Sequence, residues 1–215
     1  MENKIKNKAD SKVHWESVYD RTAVNKLGWY ESVADQSMKL IDKANIDKAA
    51  QILNVGVGAS TFIDLLLEKG YQNIIASDIS AIALEQLKKR LGEKQKEVTW
   101  VVDDLTQPQK LSSLESVDVW HDRAVLHFFL KEEERQNYFQ LLNQLVKIGG
   151  YAIIATFREG GAEKCSGLPI QQYTKELLEE KLGKDFELVE SFEYTYINPG
   201  GSPRPYIYTL FKRLC

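Results

Sequence analysis

The chain has 215 residues, 43% of them hydrophobic and 27% charged, and its formal net charge is −3 at pH 7. These values predict one globular domain over residues 1–215. There is no basic excess that would indicate nucleic-acid binding, and no apolar segment approaches the ~20 residues that span a bilayer. Two cysteines are too few for a disulfide framework or a zinc cluster, so we predict a reducing, cytoplasmic setting and no metal.

The chain begins with helical patterns. Residues 1 to about 10 are polar and charged without an apolar period, which predicts disorder. Two amphipathic helices are predicted next, VHWESVYDR at 13–21 and LGWYESVADQSMKLIDKA at 27–44. Residues 11–45 are therefore expected to form cap helices ahead of the first strand. The residues expected on the inner face of the second helix are Val33, Ser37, Leu40 and Ile41.

From residue 50 onward, strand and helix patterns alternate. The runs AQILNV, NIIASD, EVTWVVDD, SVDVWHD and YAIIATF predict strands, and STFIDLLLEKG, SAIALEQLKKRLG and KEEERQNYFQLLNQLVKIGG predict helices, the last one ended by Gly149 and Gly150. This order predicts a mostly parallel sheet with helices on both faces. In the tail, a helix YTKELLEEKLG precedes FELVESFEYTYI and YIYTLFKR, two strands joined by a turn-rich link, which predicts an antiparallel pair.

The first strand ends in a Gly-x-Gly pair, Gly56 and Gly58, and a helix pattern begins at once. Glycines at such a turn let the backbone pass close beneath a ligand. The third glycine of a dinucleotide fingerprint is replaced by Ala59 or Ser60, and no Gly-Lys-Ser/Thr element is present to bind phosphates. An ordinary strand-to-helix turn is the alternative interpretation.

Acidic residues follow the second and third strands. Asp78 lies about 20 residues beyond the glycines, where a carboxylate can bind ribose hydroxyls; alternatively it caps the next helix, although Ser80 suffices for that. Asp103 and Asp104 could accept from an adenine amino group, with Leu105 over the ring, or could be solvated loop carboxylates. This set of residues favours a nucleoside without phosphates, and S-adenosylmethionine is the obvious one.

The chain resembles the class I S-adenosylmethionine-dependent methyltransferases over nearly its whole length. The segments ILNVGVGAST, ASDIS, VTWVVDDLT and VDVWHDRAVLHFF carry this resemblance, and HWESVYD, LGWYE and CSGLPIQQY are similar to a family of small bacterial methyltransferases. The resemblance implies an α/β fold: a three-layer, Rossmann-like, doubly wound sheet of seven strands, the last antiparallel and inserted near the edge, with N-terminal lid helices. It also implies S-adenosylmethionine as cofactor.

The resemblance places the methionine moiety over the glycine turn, the ribose at Asp78 and the adenine at Asp104. Asn54 stands where many relatives have an acid, so it offers the cofactor's ammonium no charge. The residues expected to bind the cofactor are Trp29, Asn54, Gly56, Gly58, Ser60, Asp78, Ile79, Asp104, Leu105 and His121.

The run WHDRAVLHFF, at the end of the fourth strand, supplies the catalytic candidates Asp122, Arg123 and His127. A histidine here could act as a base if the acceptor arrives protonated. Asp122 and Arg123 could form an ion pair that shapes the pocket, or Arg123 could orient an anionic acceptor. The alternatives are a buried structural role for His127 and, for His121, a ring beside the adenine or bonded to the backbone.

Aromatic residues are dense near the N-terminus, at Trp15, Tyr19, Trp29 and Tyr30. They could form a lid whose ring faces attract the sulfonium, or they could plug the open end of the sheet. A single compact domain favours a small-molecule acceptor with a nucleophilic nitrogen, oxygen or sulfur. A protein-lysine methyltransferase and a non-catalytic S-adenosylmethionine-binding module are the alternatives. The sequence is compatible with a monomer or a homodimer.

Overall fold

The protein is described by a computed structural model that covers residues 8–215, with side chains from Ser11 onward. Seven strands of this part of the chain form one sheet in the order β3-β2-β1-β4-β5-β9-β8. Their bounds are Gln51–Val55 (β1), Asn73–Asp78 (β2), Val98–Val102 (β3), Val117–Arg123 (β4), Val146–Phe157 (β5), Phe186–Ile197 (β8) and Pro203–Arg213 (β9). A separate hairpin pairs Lys164–Cys165 (β6) with Leu168–Pro169 (β7).

Six α-helices flank the sheet within the same part of the chain. They are Lys8–Arg21 (α1), Asp35–Ala44 (α2), Phe62–Glu68 (α3), Ala81–Leu91 (α4), Glu132–Leu145 (α5) and Lys175–Leu182 (α6). None of these described helices combines the length and the apolar character needed to cross a bilayer.

The sheet is buried on both faces, which explains its continuous apolar strands. One core cluster includes Ile52, Ile74 and Val119 with residues of α2 and α3, and the other includes Leu53 and Trp120 with residues of α5 and α6. Successive strand residues alternate between these clusters because side chains alternate across a sheet. The three-layer, doubly wound architecture predicted from the sequence is confirmed.

Strand β9 is antiparallel to both of its neighbours. It pairs with β5 from Tyr151↔Lys212 to Phe157↔Tyr206, and with β8 over nearly its whole length. The other six strands therefore run parallel to one another. The expected antiparallel strand, inserted next to the edge, is confirmed.

Helix α5 ends at Leu145, so the prediction that it continues to Gly149 and Gly150 was wrong. Val146 has extended backbone angles, φ −70° and ψ 127°, and begins the 12-residue strand β5. β-Branched side chains favour this conformation, and the Lys147 ammonium contacts the Asp118 carboxylate at 3.0 Å from the neighbouring strand. Pairing with β4 thus overrides the helical pattern of the sequence.

Helix α2 begins at Asp35 and not at Leu27, and Val33, expected on the inner face, is 47% exposed. Side chains from distant elements bind the backbone of this region instead. Arg123 Nη1 donates to the Trp29 carbonyl at 2.9 Å, and the Tyr196 hydroxyl donates to the Tyr30 carbonyl. The backbone before α2 is thus held by side chains of β4 and β8.

Two further differences concern local structure. Helix α1 begins at Lys8, so the predicted disorder does not extend to residue 10; residues 1–7 lie outside the described part of the chain. The β6–β7 hairpin was not predicted. Ser166 and Gly167 form its turn with φ values of 52° and 75°, which is the left-handed conformation that two-residue hairpin turns require at both positions.

Candidate functional site

A cavity of about 450 Å³ lies beyond the carboxyl ends of the central strands. The ends of β1, β2 and β4 are in register there, with Val55 paired to both Ser77 and Asp122. Ligands of doubly wound sheets bind in this position. The predicted site residues that line this cavity are Trp29, Gly56, Asp78, Ile79, Asp104, Leu105 and Arg123.

The glycine turn forms the floor of the cavity. Gly56 and Gly58 have φ values of 55° and 47°, a conformation that side-chain-bearing residues rarely adopt. A Cβ at Gly56 would collide with Val125, and a Cβ at Gly58 would collide with the Tyr19 hydroxyl. Both glycines are therefore required by backbone conformation and by space, although Gly58 itself does not line the cavity.

Asp78 is 6% exposed and accepts hydrogen bonds from two backbone N–H groups, Gly58 N at Oδ2 and Ser80 N at Oδ1, both at 2.8 Å. Burial raises the pKa of Asp78 to about 6, against the lowering effect of these N–H groups. The carboxylate thus links the glycine turn to the start of α4. The helix itself is capped by Ser80, whose Oγ accepts from Ala83 N at 3.1 Å, as expected.

S-adenosylmethionine is the cofactor predicted from the sequence, and the raised pKa of Asp78 predicts a pH-dependent affinity for its demethylated product, S-adenosylhomocysteine. We expect affinity to be full above pH 7 and to fall about tenfold at pH 5, because only about a tenth of the carboxylate stays ionised one unit below its pKa. Calorimetric titrations between pH 5 and 8 measure this. Constant affinity over that range, with the protein still folded, would contradict an ionised Asp78 as the ribose acceptor.

The two acids after β3 have different surroundings. Asp103 Oδ2 accepts from the N–H groups of Gln109, Lys110 and Leu111 at 2.8–2.9 Å, so this carboxylate shapes the following loop. Asp104 is 7% exposed, and its Oδ1 accepts from the N–H and the hydroxyl of Thr106 at 2.8 and 2.7 Å. Neither is a freely solvated loop carboxylate.

Helix α1 and the segment after it form the roof of the cavity. The Trp15 ring lies edge-on to Trp29 at 5.5 Å and to Phe128 at 4.9 Å, and all three residues line the cavity together with Tyr19. Glu16 attaches this helix to α4: its Oε1 accepts from Ala81 N at 2.9 Å, and its Oε2 accepts from Ile82 N at 3.2 Å. A carboxylate at a helix N-terminus is stabilised by the helix dipole.

Arg123 lies at the cavity wall with its side chain 10% exposed. Its Nε lies 2.9 Å from Glu31 Oε2 and donates to the Tyr208 hydroxyl at 3.0 Å, and its guanidinium lies 5.1 Å from the Tyr206 ring centre. Burial lowers the pKa of Arg123, but Tyr208, Tyr206 and Glu31 raise it on balance, so the guanidinium stays charged. Asp122 is not the partner of this cation.

Asp122 and His127, two of the three catalytic candidates, do not line the cavity and are fully buried. The Asp122 carboxylate accepts from Val125 N, Leu126 N and the Tyr138 hydroxyl at 3.0, 3.1 and 2.8 Å, so it holds the turn after β4. Burial raises its pKa to about 7.

His127 packs against Phe128 and Phe157, and its Nδ1 lies 3.3 Å from Thr156 Oγ1. Burial lowers the pKa of His127 to about 3, with a further lowering by Arg123. Its surroundings match the structural alternative rather than a proton acceptor at the cavity.

His121, Asn54 and Ser60 lie around a second, small cavity of about 20 Å³ next to Gly56. His121 stacks on Phe62 with ring centres 4.0 Å apart and contacts Asn54 Oδ1 at 2.9 Å and Ser37 Oγ at 2.8 Å. Burial, followed by Arg123, lowers the pKa of His121 to about 3. It is bonded to side chains, which neither interpretation from the sequence anticipated.

Several residues around the site were not among the predicted site residues. Phe128 lines the large cavity, Glu31 lines the small one, and Glu16 attaches α1 to α4 without lining either. They belong to the segments HWESVYD, LGWYE and VWHDRAVLHFF, so their membership of these segments was the available signal. Cys165 also lines the cavity while 7% exposed. Burial raises the pKa of this thiol to about 11, so it stays protonated at neutral pH.

Comparisons with known proteins agree with this architecture. A family described as a methyltransferase domain matches residues 52–150. EEF1A lysine methyltransferase 2 of Danio rerio is 25% identical over 208 residues, which cover 90% of this chain and 82% of that protein. The eEF1A lysine and N-terminal methyltransferase of Bos taurus is 26% identical over 136 residues, 63% of this chain; the chain spans only 19% of that protein's length.

Solved structures share the fold. An S-adenosylmethionine-dependent methyltransferase from Anabaena variabilis matches with a TM-score of 0.79 and 16% identity, over 99% of this chain and 98% of that chain. The 1,6-didemethyltoxoflavin-N1-methyltransferase of Burkholderia thailandensis, crystallised with its substrate and S-adenosylhomocysteine, matches with a TM-score of 0.66 and 17% identity, over 100% and 94% of the two chains.

Proposed function

We propose that this chain, which is a class I S-adenosylmethionine-dependent methyltransferase, methylates an amine nitrogen, and that the amine is a lysine side chain of a protein. The observation that carries the proposal is the aromatic part of the cavity wall, where Trp15 contacts Trp29 and Phe128, together with the fact that no histidine is among the described residues that line this cavity. The small-molecule acceptor favoured from the sequence becomes the second candidate.

The cavity fits the cofactor. Its volume of about 450 Å³ lies in the ~300–1,000 Å³ range of small-ligand sites. We assign the ribose to Asp78, the adenine to the wall formed by Asp104, Leu105 and Ile79, and the methionine moiety to the glycine turn at Gly56. S-adenosylmethionine supplies an electrophilic methyl carbon on a sulfonium, which an acceptor in line with it can attack.

The aromatic wall suits a lysine acceptor. Trp15, Trp29 and Phe128 can pack along the apolar stem of a lysine, and their ring faces stabilise a cation such as a methylated ammonium by about 1–2 kcal/mol when water is excluded. Burial in such surroundings lowers the pKa of an amine and so favours the neutral nucleophile. Carboxylates on the same cavity also suit a cationic partner: Asp103, Asp104, Glu133 and Glu134.

The relatives support the same acceptor. The Danio rerio protein that matches 90% of this chain is named for lysine methylation. The second candidate, a small molecule, is favoured by the position of α1, which covers the cavity with Trp15 and Tyr19 and so limits access. The structural match to a small-molecule N-methyltransferase shows a shared fold.

The proposal is tested with S-adenosylmethionine carrying a deuterated methyl group. An extract of the source organism is separated into a protein fraction and a small-molecule fraction, and each is incubated with the enzyme. We expect deuterated methyl-lysine in acid hydrolysates of the protein fraction, and none with the Asp78→Asn variant. Label confined to the small-molecule fraction would reject the lysine acceptor in favour of the second candidate.

The absence of a histidine base predicts the behaviour of the His127→Asn variant. Because His127 is buried with a strongly lowered pKa, we expect kcat to stay within about threefold of wild type. Loss of a true general base costs about 10²–10⁴-fold. With S-adenosylmethionine saturating, so that Asp78 does not contribute, we also expect kcat/KM for the acceptor to rise with pH without an inflection near 6.5, since the amine of the acceptor must lose its own proton. The measurement is a pH–rate profile of both proteins, with melting curves to confirm folding. A loss of 100-fold in a folded variant would restore His127 as a base.

A further inference from the structure

Two buried N–H groups at the small cavity have no hydrogen-bond partner within the described residues: Asn54 Nδ2 and Arg123 Nη2. Both residues line that cavity, which also borders Gly56 and has room for one small group. Buried donors in native proteins are nearly always paired, because an unpaired one loses its hydration without compensation. Two such donors at one cavity indicate a ligand with acceptor atoms.

The remaining polar atoms of these two side chains are already occupied. Asn54 Oδ1 contacts His121 Nδ1 at 2.9 Å, and Ser37 Oγ contacts the opposite ring nitrogen at 2.8 Å. A neutral His121 that donates from Nδ1 fixes the amide so that Nδ2 faces away from the ring. Arg123 is fixed in the same way, because its Nε and Nη1 are bonded to Glu31, Tyr208 and the Trp29 carbonyl.

The charges at this cavity suit an anion held next to a cation. Among the described lining residues, Arg123 and Glu31 are the charged groups and pair at 2.9 Å, while His121 is neutral because burial lowers its pKa to about 3. An acceptor group at this position therefore meets two N–H donors, one of them on a guanidinium. Glu31 is the carboxylate at this cavity, because position 54 carries an amide instead of an acid.

We propose that Asn54 and Arg123 bind the α-carboxylate of the cofactor's methionine moiety through Nδ2 and Nη2. An acid at position 54 would bind the ammonium of the methionine moiety. Asn54 presents an N–H donor instead, which binds the α-carboxylate. Asn54 in place of an acid therefore replaces a hydrogen-bond acceptor by a donor, and the methionine moiety is still bound at this position. The inference concerns the cofactor alone, so it holds whichever acceptor is methylated.

Calorimetric titration of the full chain with two probes tests this: S-adenosylhomocysteine and the analogue that lacks only its α-carboxylate. We expect wild type to bind S-adenosylhomocysteine about 10–100-fold more tightly than the analogue, as for hydrogen bonds to a charged group. Asn54→Asp should weaken the binding of S-adenosylhomocysteine at least tenfold and keep the affinity for the analogue within threefold of wild type. Ser37→Ala, which perturbs the same histidine without lining the cavity, should leave both within threefold.

Two outcomes would overturn the proposal. Tighter binding of S-adenosylhomocysteine by Asn54→Asp would show that position 54 faces the ammonium. Equal losses for both probes would show a general disturbance of the site. If Asn54→Asp does not fold, Arg123→Lys is the second variant, because it keeps the charge but lacks Nη2. It should weaken the binding of S-adenosylhomocysteine alone. An equal loss of affinity for the analogue would count against the assignment.

Discussion

A chain that begins at Glu31 is expected to lose at least about 100-fold in affinity for S-adenosylhomocysteine while its sheet stays folded. The deleted segment contributes Trp15, Tyr19 and Trp29 to the cavity wall. Tyr19 belongs to a small cluster around Leu27, apart from the two clusters that cover the faces of the sheet. The deletion therefore removes a wall of the site, together with the Trp29 carbonyl that holds Arg123, and leaves most of the core.

Calorimetry measures the affinity of the shortened chain for S-adenosylhomocysteine, and circular dichroism with thermal melting measures its fold.

In the full chain, Glu16→Gln removes the charge that attaches α1 to the N-terminus of α4, and we expect about a tenfold loss of affinity for S-adenosylhomocysteine. Val13→Ala is the matched control on the same helix, because Val13 is 67% exposed. Unchanged affinity in a folded deletion variant would mean that the aromatic residues only close the end of the sheet.

The Gly58→Ala variant is expected to lose cofactor affinity by at least about 30-fold and to lose about 2–5 kcal/mol of its free energy of unfolding. The φ of 47° costs a residue with a side chain about 1–2 kcal/mol, and the added Cβ would collide with the Tyr19 hydroxyl, an overpacking that costs about 1–3 kcal/mol more. Relief of the collision requires α1 to move away from the cavity, so stability and binding fall together.

Gly70→Ala is the control for this variant. Gly70 has a φ of 82°, but a Cβ there meets nothing within 4 Å. We expect it to lose about 1–2 kcal/mol of stability through backbone strain and to bind S-adenosylhomocysteine like wild type. Denaturant titration and calorimetry on both variants separate strain from collision. Equal affinities for the two variants would show that the contact between Gly58 and Tyr19 does not support the cavity.

The succession of strands and helices along the chain and the acids at the strand ends were predictable, because their causes are local or follow from parallel pairing. Apolar runs bounded by turns identify the strands, and Ser80 caps α4 through a bond three residues along the chain. The carboxyl ends of parallel strands meet at one edge of a sheet, so Asp78 and Asp104, which follow adjacent strands, reach the same cavity.

Other features depend on contacts between residues far apart in the chain, which periodicity does not reveal. The carbonyls of Trp29 and Tyr30, before α2, accept hydrogen bonds from Arg123 and Tyr196, which lie far away in the sequence. The roles of His121 and His127 depend on which way their side chains face, and this is set by register and packing. Glu31 belongs to the segment LGWYE, but its role follows only from its pairing with Arg123, 92 residues further along the chain.

The position of β9 bears on how the protein is made. Residues 203–213 are translated after every other strand, yet they lie between β5 and β8 in the sheet. Until they emerge from the ribosome, β5 has an unpaired edge that can recruit other chains, and Arg123 lacks the contacts of Tyr206 and Tyr208. A nascent chain is therefore expected to complete the proposed cofactor pocket only after residues 203–213 have been translated, and a chain that lacks them is expected to be prone to aggregation and unable to bind the cofactor.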